Sequence, residues 1–461
     1  MSRLLSRSAI RQFELSALPV SIGAVLFGAV IGVAILISPL VGVLLVGGLA
    51  AMNLLLPHPL RVAYLLILAI VLTSAIPRNQ FLPMFKPNEL ALALACAVLF
   101  LTLPPQGEAR YIPGVLLLAI LIFAVGTSIA PTLSYYTRHI SQDMESLFVL
   151  LAPLQYLAIF WFFVYIANTT RQRFALIQFM FLCCSLVAAV GLLQAANVPP
   201  VNAVLHTLYP SDHTAQSADA GRVTSVMGAW NALGTFLMAN LIVALAVWSY
   251  PAKRLYRINI TVMFVLTLAC LVATNFYSCL IGLAIGFAIL DVFQPIDRKF
   301  VVAGVVLFAL MVLVMWPAVS ARLDAQFSSG RLLPQTIEYR IELWDEYFIP
   351  SIANSPVWGV SPTSDHILYQ HPESQYVYLL FRSGAISLVA HVLWIALLVG
   401  WLALHVRQRK ALSGRLAAAT IALLIVLSVM GITNPVFTYS GTSEFLWMNL
   451  GLVVSEGIST Q

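Results

Sequence analysis

Long apolar runs separated by short polar breaks dominate the chain. They do not alternate residue by residue, as the strands of a membrane barrel would. Each comes near the ~20 apolar residues that a helix needs to cross a bilayer, where its backbone groups must be satisfied internally. The pattern predicts an all-α, polytopic integral membrane protein with about 12–14 transmembrane helices. The expected spans are 16–37, 40–56, 59–76, 88–103, 111–130, 147–167, 174–196, 229–250, 258–273, 276–291, 300–318, 375–404, 416–432 and 443–457. Only Ser38-Pro39 divides the first pair, and the short spans 40–56 and 443–457 also admit a broken or re-entrant reading.

The apolar rhythm stops longest at 319–374, expected as an outer loop inserted into one transmembrane domain, 1–461. Loops of this length are usually functional or disordered. This one keeps Tyr339, Trp344, Tyr347, Phe348 and Trp358, enough aromatic surface to fold on. Ile337, Ile341, Trp344 and Phe348 recur at helical spacing, predicting a short amphipathic helix over 334–349. Arg340 and Trp344 then share one face.

Composition agrees with that class: of 461 residues, 61% are hydrophobic and 9% charged, against roughly 25% charged in a soluble domain. The net charge of +6 follows membrane orientation. With the N-terminus cytoplasmic, Arg61, Arg110, Arg171, Arg173, Lys253, Arg254, Arg257, Arg298, Lys299, Arg407, Arg409, Lys410 and Arg415 fall on cytoplasmic ends. Arg78, Lys86, Arg138, Arg222, Arg322, Arg331, Arg340 and Arg382 fall outside. Nucleic acid is therefore not an expected partner. Arg3, Arg7 and Arg11 precede an apolar run without a small-residue cleavage site, which predicts an uncleaved first span. Cys96, Cys183, Cys184, Cys270 and Cys279 sit inside apolar runs and read as small buried residues. No glycine-rich phosphate loop, HExxH or Cys/His zinc spacing occurs, so no cofactor or metal is expected.

Three outer positions carry the candidate chemistry. Arg222 stands before a span, where its guanidinium fits a phosphate; the competing reading is an interfacial anchor. Arg340 is a second cation, with Trp344 a platform for sugar or lipid; alternatively Arg340 pairs with Asp345 or Glu338 and Trp344 packs the loop. His371 and Glu373 precede a span, and either suits a general base; alternatively they cap the helix and face water.

Taken in order, these elements resemble the O-antigen ligase/polymerase superfamily. Arg222 and Asn231 reproduce its Arg-to-Asn spacing at a helix start, with Trp230 where Pro is usual. Thr274-Asn275-Phe276-Tyr277-Ser278 occupies its T-x-S-R-G segment, with Tyr277 in place of the Arg. Arg340, Trp344 and Ser355-Pro356-Val357-Trp358-Gly359-Val360 match its R-x-x-x-W and hPlfGvG patterns. Glu373 through Tyr376 and Leu380 to Gly384 match the spacing of H-N-x-Y-L-x-L-L-x-E-x-G, with Glu373 at the His position. The resemblance covers 220–395.

It implies a glycosyltransferase in a bacterial inner membrane that uses a glycan on a polyprenyl diphosphate at the periplasmic face; the Lys/Arg asymmetry puts both termini on the cytoplasmic side. The two departures point to a divergent repeat-unit polymerase for exopolysaccharide, capsule or O-antigen. Arg222 and Arg340 would hold the diphosphate, and Glu373 first, His371 second, would act as base. Asn231, Tyr277, Trp344 and Tyr376 would contact sugar or lipid. Partners would be the lipid-linked donor and acceptor, membrane lipids, and by analogy a chain-length regulator and a flippase. The alternatives are a ligase delivering glycan to lipid A-core or protein, and a flippase or transporter of the same lipid-linked sugars.

Overall fold

The computed structural model describes residues 59–78, 80, 85–102, 112–137, 144–209, 222–248, 250, 254–294, 302, 304–306, 309–310, 312–313, 316–327, 334–360, 372–408, 412–439 and 441–457. Among them the chain is helical, with no strand, and forms an all-α polytopic membrane protein. Among the described residues, seven helices are long and apolar enough to cross a membrane: Gly114–Thr137 (α3), Leu147–Ile166 (α4), Thr170–Ala195 (α5), Trp230–Trp248 (α7), Arg254–Ala273 (α8), Gln375–Val406 (within α13, Gln375–Gln408) and Leu412–Met430 (α14). Shorter apolar helices are α1 (Pro59–Thr73), α2 (Pro87–Thr102) and α9 (Tyr277–Phe293). The chain also forms α6 (Pro199–Leu208), α10 (Trp316–Phe327), α11 (Gln335–Leu343), α12 (Ile349–Ala353) and α15 (Thr442–Gly457). The expected spans from 59 onward coincide with these helices, except 300–318, much of which lies outside the described residues, as do 16–37 and 40–56 entirely.

Burial identifies the centre. In α7 and α14, 89% and 78% of the spanning window is buried, against 33–61% in the other candidate spans. A helix apolar all round belongs inside a bundle. Around this pair, α5 packs on α8, α4 on α15, α9 on α14, and α13 on both α3 and α14. The outer helices turn apolar side chains such as Leu117, Leu121, Leu182, Leu186, Val389 and Leu393 outward, as suits lipid contact.

Two ends of the bundle are distinct. At one, Arg173 donates to Thr170 Oγ1 at 3.0 Å and to Ser455 Oγ at 3.5 Å, and Arg415 donates to the Ala246 carbonyl at 3.4 Å. These tie the start of α5 to the end of α15, and the start of α14 to the end of α7. At the other end, the Gln375 amide donates to the Gly431 carbonyl at 2.8 Å, joining the start of α13 to the end of α14. The candidate chemistry collects there.

One expectation changes. The helix over 334–349 is not one continuous α-helix: α11 passes through a π turn, Trp344–Phe348, into α12. The wider turn shifts the phase, so Leu343 and Phe348 point inward and meet Phe381 of α13. Ile341, expected on the apolar face, is 41% exposed. Arg382, counted among the cations on the outer side, is buried at 8% exposure.

Candidate active site

The start of α7 is fixed by a side chain from α5. Gln194 Oε1 accepts from the Thr224 and Ser225 amides at 3.0 and 2.8 Å, and its Nε2 donates to Thr224 Oγ1 at 3.2 Å. This holds the approach to α7 in place. Arg222 lies with its guanidinium 4.5 Å over the Trp230 ring, a cation–π contact. Trp230 therefore gives the Arg-to-Asn motif something a proline lacks: a platform for its cation. Next in sequence, Asn231 Nδ2 donates to the Tyr439 hydroxyl at 2.7 Å.

The turn between α8 and α9 packs on the same spot. Thr274 Oγ1 donates to the Leu271 carbonyl at 2.7 Å and accepts from the Phe276 amide at 3.3 Å. Asn275 takes φ 54°, the left-handed conformation that Asn tolerates better than most residues. A Cβ on Gly234, one turn into α7, would lie 3.0 Å from the Phe276 ring and 3.1 Å from Cys279 Sγ. Tyr277, the first residue of α9, is half-buried beside this seam.

From the loop, α11 brings Arg340 Nη2 to 3.1 Å from Glu373 Oε2. One turn on, Trp344 Nε1 donates to the Pro372 carbonyl at 2.6 Å. Arg340 and Trp344 thus grip neighbouring residues from one face, and Arg340 pairs with Glu373 rather than Asp345 or Glu338. The contact uses one guanidinium nitrogen; Nη1 reaches the Thr336 carbonyl at 3.4 Å, and Nε makes no hydrogen bond to protein. Glu373 is 38% exposed and has φ 54°, a strained setting for a non-glycine residue. Ser374 and Gln375 beside it are anchored on Gly431, and Gln375 Oε1 accepts from the Phe437 amide at 3.3 Å.

The far end of the loop is clamped to a break in α13. Ser383 and Gly384 leave helical geometry, Gly384 at φ 69° and ψ −162°. The Val360 amide donates to the Phe381 carbonyl at 2.7 Å, and the Ala385 amide to the Pro356 carbonyl at 2.8 Å. A Cβ on Gly384 would meet Val357 backbone at 2.2 Å, and one on Gly359 the Ser383 amide at 2.4 Å. Both glycines are required because two backbones touch. The Ser355–Val360 turn and the Gly384 position are two halves of one joint.

Tyr439 links the two halves of the site. Burial first, and the nearby Glu373 carboxylate next, raise its hydroxyl well above the usual phenol range, against Arg340, which acts to lower it. It stays protonated, able to donate and accept but not to act as a base. Sequence reasoning passed over it; its one signal is the polar break, Thr438-Tyr439, before the last helix. The Tyr376 hydroxyl donates to the Ser428 carbonyl at 2.6 Å, tying α13 to α14. His371 lies outside the described residues. Among the described residues no group of His, Cys, Asp and Glu is arranged to hold a metal ion.

No curated protein matches the chain. Residues 262–392 match the family model described as O-antigen ligase. That segment contains Tyr277, Arg340, Trp344, Glu373, Tyr376 and Gly384, while Arg222, Asn231 and Tyr439 lie outside it. Over that segment the match supports the resemblance to the O-antigen ligase/polymerase superfamily.

Proposed function

We propose that this protein polymerises oligosaccharide repeat units carried on polyprenyl diphosphate at the outer face of a bacterial inner membrane. The observation that carries the reading is the Arg340–Glu373 pair, 3.1 Å apart, at the bundle end that also holds Asn231 and Tyr439. A cation beside an accessible carboxylate is what glycosyl transfer from a diphosphate needs.

The acceptor hydroxyl oxygen attacks the anomeric carbon while the bond from that carbon to the diphosphate oxygen breaks. The electron pair leaves with the diphosphate, and Glu373 takes the hydroxyl proton. Attack from the face opposite the leaving group inverts the anomeric centre. Arg340, and Arg222 on its Trp230 platform, would neutralise the departing charge. The leaving group is already a stable anion, so no acid is required. Arg340 also orients the Glu373 carboxylate, and Trp344, through Pro372, steadies its backbone. Tyr439, kept neutral, would offer a hydrogen bond to a sugar hydroxyl. Helix α11 is the source of Arg340.

The family's description as O-antigen ligase favours a second reading, in which the acceptor is lipid A-core or protein. Purified protein incubated in detergent with lipid-linked repeat units separates these. A polymerase lengthens the glycan with no other acceptor present, and a ligase requires its own acceptor. A flippase yields no new glycosidic bond, which would overturn the proposal. Glu373→Gln is expected to abolish lengthening while the protein stays folded.

A further inference from the structure

A second cation lies deeper in the bundle than the loop site. A cavity of about 200 Å³ opens between α3, α4, α13 and the segment before α15. Two arginines, Arg78 and Arg382, and no Asp or Glu line it among the described residues. Arg78 already pairs with Glu89. Arg382 is different: it is 8% exposed and has no carboxylate partner among the described residues. Its protein hydrogen bond, from Nη1, goes to the Tyr378 hydroxyl at 3.1 Å. Nε and Nη2 make none. Those two nitrogens form the edge of the guanidinium that grips an oxyanion through paired N–H···O bonds.

His391 adds a third donor. Its Nδ1 accepts from the Trp394 indole N–H at 3.2 Å. In the neutral ring the proton then sits on Nε2, which makes no hydrogen bond to protein at 3% exposure. Arg382 and His391 are nine residues apart, and at 100° per residue an unbroken helix would turn them to opposite faces. The break at Ser383–Gly384 resets the phase, so both line one cavity. An unpaired charge at this depth is costly and is rarely kept without a use.

We infer that this cavity is an oxyanion-binding site, with Arg382 and the Nε2–H of His391 as its open donors. The ligand is a phosphate or carboxylate on a small group, since the volume falls below the ~300 Å³ of a drug-sized pocket. Trp394 and Phe437 on its wall suit one sugar ring. The two sources of such an anion are a lipid diphosphate and an acidic sugar. Because the inference is read as binding, it stands or falls apart from the transfer reaction.

The test uses purified full-length protein in detergent, with binding followed by calorimetry and by the thermal midpoint. The probes are inorganic diphosphate, inorganic phosphate and glucuronate, with glucose as the neutral control. At least one anion is expected to bind and raise the midpoint, while glucose does neither. Preference for diphosphate points to the lipid headgroup, and preference for glucuronate to an acidic sugar. Arg382→Met should weaken binding by about tenfold or more and, free of a buried unpaired charge, unfold no earlier than wild type without anion. Arg382→Lys, which keeps the charge but not the paired edge, should bind at an intermediate level and serves if the Met variant does not fold. Each Arg382 variant is also made in an Arg340→Met background, which removes the loop site's cation; anion binding retained there by both variants, or no anion binding by wild type, would overturn the proposal.

Discussion

Gly384→Ala tests the joint that carries Arg340 to Glu373. At φ 69° and ψ −162° the backbone occupies a region open almost only to glycine, so alanine there costs about 1–3 kcal/mol in strain alone. The added methyl also meets Val357 C and O at 2.2 Å and Gly359 N at 2.6 Å. These are backbone atoms that cannot rotate away, and overpacking of this kind costs typically 1–3 kcal/mol. Together the two effects amount to about 3 kcal/mol or more, enough to raise the open population of the joint roughly a hundredfold at 1.4 kcal/mol per tenfold. Hydrogen exchange reads this directly at the Val360 and Ala385 amides, whose partners are the Phe381 and Pro356 carbonyls. Gly400→Ala is the control: it lies in the same helix, and a Cβ there has nothing within 4 Å. Protection is expected to fall at both amides in Gly384→Ala and to hold in Gly400→Ala, with transfer activity following protection. Equal protection in the two variants would refute the reasoning.

Trp344→Phe removes the indole N–H that Pro372 accepts and should cost about 1–2 kcal/mol locally; transfer should slow while the thermal midpoint moves little. Tyr439 holds its proton more firmly folded than unfolded, so its contribution to stability is present below about pH 10 and lost as pH rises above it. Thermal unfolding between pH 9 and 11 should therefore decline in wild type and decline less in Tyr439→Phe. Trp230→Ala removes a contact worth about 0.5–1 kcal/mol from Arg222; a severalfold rise in donor KM with kcat nearly unchanged is the expected kinetic signature.

The helices were legible because the bilayer demands continuous apolar runs, and runs such as 230–248 and 412–430 carry no competing pattern. The order of the polar motifs was legible too, but not their contacts. The face of the loop helix was misread because a π turn changes the period from within, and nothing in Trp344–Phe348 marks it. The joint of Gly359 and Gly384 is made by backbone atoms, which composition does not display. The burial of Arg382 was not legible, because it depends on how α3, α4 and α13 assemble. Tyr439 escaped notice because its importance comes from Asn231 and Glu373, far away in sequence.

The central claim is that Arg340 and Glu373 act as one unit in glycosyl transfer. A double-mutant cycle on the purified enzyme, with lipid-linked repeat units as donor and acceptor, tests it most directly. Residues that act as a unit lose function non-additively. Arg340→Met and Glu373→Gln should each reduce kcat/KM severely, and the double variant should be no worse than the poorer single. Losses that multiply independently, or full activity in either single variant, would contradict the account.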